Sequence, residues 1–292
     1  MKHLAASIVL ALTVLASAQS ASAEKLTVLL DWFINPDHAP LYVALERGYF
    51  REAGLDVEFK APADPNDPPK LVAAGKADLA ISYQPQLHMQ ADRGLPLVRI
   101  ATLVATPLSS LVVLRDGPVK TVADLKGKTV GFSVGGFEDA ILRAMLEKNG
   151  LTLRDVKLVN VNFSLSPALI SGKVDAVIGA YRNFELNQLD ILKKPGRAFY
   201  VEEEGVPAYD ELIVVANRKD LGKASIRKFV DAVERGAQYL VNHPKKAGSF
   251  LSRDAKISTT NSTNGHGATL FPGSRCGRAH WTVKGTRTLP AF

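Results

Sequence analysis

The chain has 292 residues, 46% of them apolar, which is enough for roughly two globular domains. Its net charge of +7 depends on six basic residues near the two ends of the chain: Lys2, Lys256, Arg275, Arg278, Lys284 and Arg287. Without them 30 basic residues face 29 acidic ones, and these charges are interspersed without a basic stripe. This distribution argues against nucleic-acid binding.

The first 23 residues have the pattern of a secretory signal peptide. Residues 1–3 form a short positive start, residues 4–18 are uncharged and apolar, and Ala-Ser-Ala at 21–23 fits a cleavage site before Glu24. The apolar run is too short to span a bilayer. We therefore expect a cleaved signal, export to the periplasm and no membrane insertion.

A polar turn near the start of the exported chain is the first candidate site. Residues 26–30 are typical of a short buried strand, and residues 39–47 of a helix that Gly48 ends. In open α/β sheets ligands bind where strands end and helices begin. We therefore predict that ligand contacts come from this turn, through Asp31, Trp32, Asp37 and His38. Core packing of Trp32, capping by Asp31 and a turn-bonding role for His38 are the alternatives.

Further elements follow in chain order. Strands are predicted at residues 55–59, 77–81, 98–104, 111–114, 129–132, 156–161, 200–204 and 212–216. Helices are predicted at residues 70–75, 139–148 and 225–242, with another starting at Pro244.

An internal repeat organises these elements. Residues 70–83 (KLVAAGKADLAISY) are similar to residues 168–181 (ALISGKVDAVIGAY). Each stretch has a short helix, a Gly-Lys pair, an aspartate before an apolar strand and a terminal tyrosine. Because glycine allows the left-handed end of a helix and apolar strands suit a parallel sheet, we predict two similar α/β lobes. Tyr83 and Tyr181 would then face a shared cleft.

Two more turns carry candidate ligand residues. A glycine turn joins the strand at 129–132 to the next helix, and backbone N–H groups left free there would suit a carboxylate, phosphate or carbonyl oxygen. The alternative is an ordinary tight turn. The predicted contacts at this turn are Ser133, Gly135, Gly136, Phe137 and Glu138. Asn183 and Glu185 follow the strand of the second repeat, at the same edge.

Residues 30–58, LDWFINPDHAPLYVALERGYFREAGLDVE, resemble the opening of NMT1/THI5-like substrate-binding proteins of ABC importers. Within that family they most resemble the branch that binds thiamine-precursor pyrimidines. The resemblance implies the two-lobed α/β fold of type II periplasmic binding proteins, in which each lobe is a mostly parallel sheet flanked by helices and the ligand lies in the interlobe cleft. We place lobe 1 at residues 24–110 and 207–254 and lobe 2 at residues 111–206.

The same resemblance implies a monomeric protein that captures a small molecule for an ABC permease and ATPase, without catalysis, cofactor or metal. For N-formyl-4-amino-5-aminomethyl-2-methylpyrimidine, a carboxylate would pair with the exocyclic amine and adjoining ring nitrogen while aromatic rings stack on the heterocycle. Glu185 is the first choice for the carboxylate, with Asp37 or Glu138 as substitutes. Asn183 and the glycine turn would bind the side arm.

Several alternatives stay open. Family members also bind riboflavin, sulfonates and nitrate, and fold alone does not fix the ligand. THI5-like pyrimidine synthases resemble this fold but consume a bound cofactor and an active-site histidine, and resemble intracellular proteins with a cysteine-rich iron motif. This sequence has only Cys276 and shows no Ser-His-Asp set or phosphate P-loop. A sensor that presents its ligand to a receptor is a third class.

The segment 255–292 differs from the rest of the chain. It contains no Asp or Glu, is rich in Ser, Thr, Asn, Gly and Arg, and shows no helical or strand period. Members of the family that this chain resembles end in a charged helical segment. When residues 255–292 are back-translated with GC-rich codons and read in another frame, they can yield a segment similar to that ending. We therefore predict that the segment 255–292 is the product of a frameshift. The alternative is that its Cys and His residues form a metal site.

Overall fold

The computed structural model describes residues 22–243. Its strands are β1 (Glu24–Leu29), β2 (Leu55–Lys60), β3 (Leu79–Ser82), β4 (Leu97–Val104), β5 (Ser109–Leu114), β6 (Thr129–Phe132), β7 (Lys157–Asn160), β8 (Ala176–Tyr181), β9 (Gly196–Tyr200) and β10 (Leu212–Asn217). Its α-helices are α1 (Ala39–Glu46), α2 (Tyr49–Glu52), α3 (Pro68–Ala73), α4 (Gln84–Asp92), α5 (Phe137–Lys148), α6 (Leu165–Ile170), α7 (Glu185–Ile191) and α8 (Ala224–Asn242).

These strands form two five-stranded sheets with the same topology within residues 22–243. The order is β2-β1-β3-β10-β4 in the first sheet and β7-β6-β8-β5-β9 in the second. In each sheet the first three strands are parallel and the fourth, β10 or β5, runs antiparallel to both of its neighbours. Four of the five strands therefore point the same way, which confirms the mostly parallel sheets predicted from the sequence.

Matching hydrogen bonds in the two sheets confirm that the internal repeat is structural. Asp78 accepts a hydrogen bond from the Thr27 N–H at 2.8 Å, and Asp175 accepts one from the Thr129 N–H at the same distance. In both units a left-handed glycine follows the short helix, with φ near +70° at Gly75 and Gly172. Each aspartate thus joins its own strand to the parallel strand beside it.

The chain crosses between the sheets and then returns. β5 pairs with β8 and β9 in the second sheet, whereas β10 pairs with β3 and β4 in the first, as the sequence predicted for residues 212–216. α8 then packs on α1, where the Pro40 carbonyl lies so close to Gly236 that no side chain would fit there. The lobe boundaries at 110/111 and 206/207 stay predictions.

The structure corrects part of the sequence analysis. The strand predicted at residues 200–204 is wrong: β9 covers Gly196–Tyr200, because those residues pair with β5, and a turn follows. The helices α2, α4 and α7 were not predicted, whereas α6 includes the short helix expected at the start of the second repeat. Most of the signal peptide, the helix from Pro244 and the tail at 255–292 lie outside the described residues. Within residues 22–243 we find no helix with the length and apolar character of a membrane span.

Candidate functional site

A small cavity lies between the two sheets, where strand ends and helix starts from both meet. Its free volume is about 20 Å³, room for about one water molecule. The lining residues are Asp31, Trp32, Asn35, Tyr83, Ser109, Phe137, Glu138, Leu165, Gly179, Tyr181, Phe184 and Glu185. Because a small-molecule pocket usually needs several hundred Å³, the lobes must part to admit a ligand.

Asp31 is fixed in this cavity by two buried side chains. Its Oδ1 lies 2.8 Å from His38 Nε2, and its Oδ2 accepts a hydrogen bond from the Tyr83 hydroxyl at 2.9 Å. His38 Nδ1 in turn accepts from the Asn35 N–H, so the ring proton lies on Nε2 and is donated to Asp31. His38 therefore positions Asp31 and closes its own turn, and it does not line the cavity.

Polar bonds connect the two lobes beside the cavity. Asp37 Oδ1 accepts a hydrogen bond from Asn183 Nδ2 at 2.6 Å. Burial raises the pKa of Asp37 to about 6, although the Asn183 bond partly offsets this effect. Asp37 and Asn183 therefore hold the lobes together and do not line the cavity.

The glycine turn before α5 is already hydrogen-bonded, so the prediction of free N–H groups there is wrong. Asn66 Oδ1 accepts from the Gly135 N–H at 2.9 Å, and Asn66 Nδ2 donates to the Ser133 carbonyl at 3.2 Å. Glu138 accepts the Ser133 N–H, and Asp139 accepts the Gly136 N–H. Side chains satisfy the donors that a ligand oxygen was expected to take, and Asn66 forms a second interlobe connection.

Aromatic rings from the two lobes meet across the cleft. Tyr83 and Phe137 stack with centroids 4.9 Å apart and planes inclined by 19°, while Trp32 makes an edge contact with Phe163 at 4.7 Å. Trp32 Nε1 and the Tyr181 hydroxyl are buried without a hydrogen-bond partner among residues 22–243. Unpartnered buried polar atoms on a cavity wall are suited to a polar ligand.

Two buried glutamates also line the cavity. Glu185 accepts a hydrogen bond from the Tyr181 N–H at 2.6 Å, and Glu138 accepts one from the Ser133 N–H at 2.7 Å. Burial raises the pKa of each carboxyl to about 8, because the charged form loses its hydration. Each group therefore holds a proton at neutral pH in this closed arrangement.

The raised pKa values predict that stability falls with increasing pH. Between the ordinary glutamate pKa of 4.5 and about 8 the folded chain binds protons that the unfolded chain has lost, so the free energy of unfolding decreases as pH rises through this window. We expect the melting temperature measured by calorimetry to be lower at pH 9 than at pH 5.5. In Glu185→Gln this loss should be smaller by roughly 6–12 °C, the effect of about 3 kcal/mol, because the pKa of about 8 lies well above pH 5.5. Equal losses in both proteins would contradict a raised pKa at Glu185.

The structure brings together seven of the predicted site residues around the cavity: Asp31, Trp32, Tyr83, Phe137, Glu138, Tyr181 and Glu185. The other six lie in the supporting turns and interlobe bonds: Asp37, His38, Ser133, Gly135, Gly136 and Asn183. The lining residues that sequence analysis did not select are Asn35, Ser109, Leu165, Gly179 and Phe184. Among these, Asn35 and Phe184 lay in turns already identified as ligand edges.

Glu211 was also missed, and it connects the chain segments that pass between the sheets. Its buried carboxylate accepts hydrogen bonds from the N–H groups of Leu108 and Ser109 at 2.7 and 2.9 Å. Burial raises the pKa of Glu211. A strand-end glutamate has no sequence signal that distinguishes this role. Residues 22–243 contain no cluster of three or more His, Cys, Asp or Glu side chains that could hold a metal ion.

Comparison with known proteins agrees with this architecture. The family model described as NMT1/THI5 like matches residues 35–247, most of the chain. The chain belongs to the NMT1/THI5-like family. Its match begins at Asn35, inside the turn that carries Asp37 and His38, so NMT1/THI5-like similarity covers nearly all of the cavity wall.

Three relatives are similar to this NMT1/THI5-like chain over most of its length. A Haemophilus influenzae protein named for thiamine biosynthesis is 55% identical, over 77% of this chain and 71% of that protein. The formylaminopyrimidine-binding protein of Halalkalibacterium halodurans is 37% identical, over 84% and 77%. A 4-amino-5-hydroxymethyl-2-methylpyrimidine phosphate synthase of Saccharomyces cerevisiae is 28% identical, over 77% and 70%.

A solved structure confirms the fold class. The alkanesulfonate-binding protein of Xanthomonas axonopodis pv. citri aligns with a TM-score of 0.66 at 16% identity, covering 81% of each chain. The NMT1/THI5-like chain therefore has the two-lobed α/β fold of type II periplasmic binding proteins. At this level of identity the likeness concerns the fold alone.

Proposed function

We propose that this chain is the periplasmic solute-binding protein of an ABC importer and that its ligand is a thiamine-precursor pyrimidine, N-formyl-4-amino-5-aminomethyl-2-methylpyrimidine. The observation that carries the proposal is the buried Glu185 carboxyl on a cavity wall otherwise rich in aromatic rings. Two of the similar proteins are named for thiamine biosynthesis and formylaminopyrimidine binding, which supports the same ligand class.

The carboxyl group of Glu185 suits the hydrogen-bonding edge of an aminopyrimidine. A protonated carboxyl donates to the ring nitrogen while its carbonyl oxygen accepts from the exocyclic amine, so two hydrogen bonds form side by side. If the proton moves to the ring, the same pair becomes charge-assisted. The raised pKa of Glu185, caused by burial, keeps that shared proton available at neutral pH.

Aromatic faces would hold the ring itself. Tyr83 from the first lobe and Phe137 from the second are in direct contact in the closed cleft. Opening the lobes would part them and present two flat faces between which a heterocycle can stack. The unpartnered Trp32 Nε1 would donate to a ligand acceptor such as the formyl oxygen.

The charge of the cavity disfavours anions such as the alkanesulfonates for which a protein of similar fold is named. Asp31, Glu138 and Glu185 line it, and its wall has no lysine or arginine within the part of the chain that the structure describes. A sulfonate or nitrate would lie in the same small cavity as the Asp31 carboxylate, without a cation in the wall to balance either charge. A neutral or protonated base meets no such penalty.

Binding rather than catalysis is proposed for two reasons. His38, the histidine bonded to Asp31, has both ring nitrogens engaged and lies outside the cavity wall. The synthase relative is also less similar than the formylaminopyrimidine-binding protein, at 28% against 37% identity. Interlobe closure over the ligand would then create the form that the permease and ATPase recognise.

A thermal-shift titration of the full chain tests this ligand. Binding to the folded state alone must raise the melting temperature by mass action. At 100 times Kd the stabilisation is about 2.7 kcal/mol, so the formylaminopyrimidine is expected to raise the melting temperature by roughly 5–10 °C. Riboflavin, taurine and nitrate serve as comparators and should give no shift. A shift with one of these but not with the pyrimidine would overturn the proposed ligand.

A further inference from the structure

A second groove lies outside the inner cavity and shares one wall with it. Its volume is about 280 Å³, and Phe137 belongs to the linings of both spaces. Asn66, which bonds to the Gly135 turn across the cleft, also lines the groove. The groove therefore spans the two lobes at the outer side of the Tyr83–Phe137 stack.

The outer groove differs from the inner cavity in charge. Its lining has no carboxylate among the described residues, and it includes the cations Lys70 and Arg93 together with the amides of Gln86 and Gln90. Lys70 lies 3.5 Å from the Asp67 carboxylate, so part of its charge is balanced. Arg93 forms no ion pair or side-chain hydrogen bond within residues 22–243. Its exposed guanidinium is free to bind an anion.

One buried polar atom of a residue in the groove wall points to a ligand independently of these charges. Gln90 is only 8% exposed, and its side-chain oxygen has no hydrogen-bond partner among the described residues. Neighbouring Gln86 differs, because its Oε1 accepts from the Ser82 hydroxyl at 2.9 Å. A buried amide oxygen that lacks a donor loses hydration without replacement, and a donor from a bound molecule would restore it.

We propose that the outer groove is a second subsite for the ligand's side arm, and that it accepts pyrimidines whose arm carries an N–H or O–H donor and ends in an anion such as a carboxylate. The pyrimidine ring would occupy the inner cavity and the arm would pass Phe137. Gln90 would accept from the arm's donor, and Arg93 would pair with its anionic end. This inference rests on the proposed function and extends its ligand range beyond the short formyl arm.

Three pyrimidines that differ only in the acyl arm test the subsite by calorimetric titration of the full chain. The arms are N-formyl, N-succinyl, which ends in a carboxylate, and N-succinamoyl, which has the same length and ends in a neutral amide. We expect N-succinyl to bind about fivefold more tightly than N-succinamoyl, the effect of a partly exposed ion pair. In Arg93→Gln this preference should fall below about twofold. Arg227→Gln, the same change at an exposed α8 position outside the groove, should keep it.

The formyl compound distinguishes failure of the second subsite from failure of the proposed pyrimidine function. It should bind the wild-type chain and both variants with similar affinity, because its arm ends before Arg93. If it binds but the wild-type chain shows no preference for the carboxylate, or the preference survives in Arg93→Gln, the subsite is overturned and the pyrimidine function stands. If none of the three compounds binds, both are overturned.

Discussion

Glu185→Leu is expected to weaken binding of the formylaminopyrimidine by roughly 30- to 150-fold. The leucine removes both hydrogen bonds to the aminopyrimidine edge and leaves the exocyclic amine unpaired in a buried cavity, a cost of about 2–3 kcal/mol. Glu185→Gln should lose only about tenfold, because an amide keeps one donor and one acceptor but not the charge assistance. Calorimetric titration of the purified variants measures both Kd values.

The matched control for this substitution lies on the same helix. Asp190 on α7 is exposed, so Asp190→Asn removes one carboxylate without touching the cavity and should leave Kd unchanged. Because the leucine also leaves the Tyr181 N–H without its acceptor, the melting temperature of each variant is recorded alongside. A folded Glu185→Leu protein that binds the pyrimidine as tightly as the wild type would rule out Glu185 as the recognition group.

Gly179→Ala is expected to destabilise the protein by about 2–4 kcal/mol and to abolish binding. Gly179 lies in β8 with φ of +87°, and a Cβ there would overlap the Glu138 carboxyl oxygens. A left-handed conformation costs a non-glycine residue about 1 kcal/mol. Moving the buried Glu138 carboxyl also breaks its bond to the Ser133 N–H, which costs about 1–3 kcal/mol more. Denaturant unfolding measures the sum of these two costs as the loss in the free energy of unfolding.

Gly172→Ala separates the two contributions. Gly172 has φ of +72°, but a Cβ there would meet nothing within 4 Å. It should therefore show only the backbone cost of about 1 kcal/mol and retain binding. If Gly179→Ala and Gly172→Ala lose the same stability, Glu138 is not fixed against β8 as the structure indicates.

Much of the fold could be predicted from local sequence because the signals are themselves local. The repeated Gly-Lys and aspartate pattern identified both α/β units, and the structure gives Asp78 and Asp175 equivalent bonds. The helix at 225–242 was predicted because apolar residues such as Phe229, Val233 and Leu240 recur at helical spacing, and all three are buried in α8. The strand predicted at residues 200–204 was wrong because an apolar-acidic run does not show which residues pair with a neighbouring strand.

The site was harder to predict because its polar groups are satisfied across long sequence distances. The glycine turn at 135–136 carries a local signal of free donors, but Asn66, about 70 residues away, occupies one of them. The interlobe bond between Asp37 and Asn183 spans an even larger separation. Strand-end position identified which residues approach the cleft, whereas only the folded chain shows which of them face the cavity.

The closed cleft has to open before a ligand can enter it. The inner cavity is too small for a pyrimidine, and the lobes are held by Asp37–Asn183 and by the contacts of Asn66. These connections are side-chain hydrogen bonds, so the lobes can part without breaking the strand pairing of either sheet. Ligand contacts would then stabilise the closed arrangement of the lobes.

Isothermal titration of N-formyl-4-amino-5-aminomethyl-2-methylpyrimidine into the full chain decides between a pyrimidine site and an anion site. We expect saturable binding with one ligand per chain and no binding of an alkanesulfonate under the same conditions. A titration in which the alkanesulfonate binds and the pyrimidine does not would contradict it, because the carboxyl-lined cavity would then have to accept an anion.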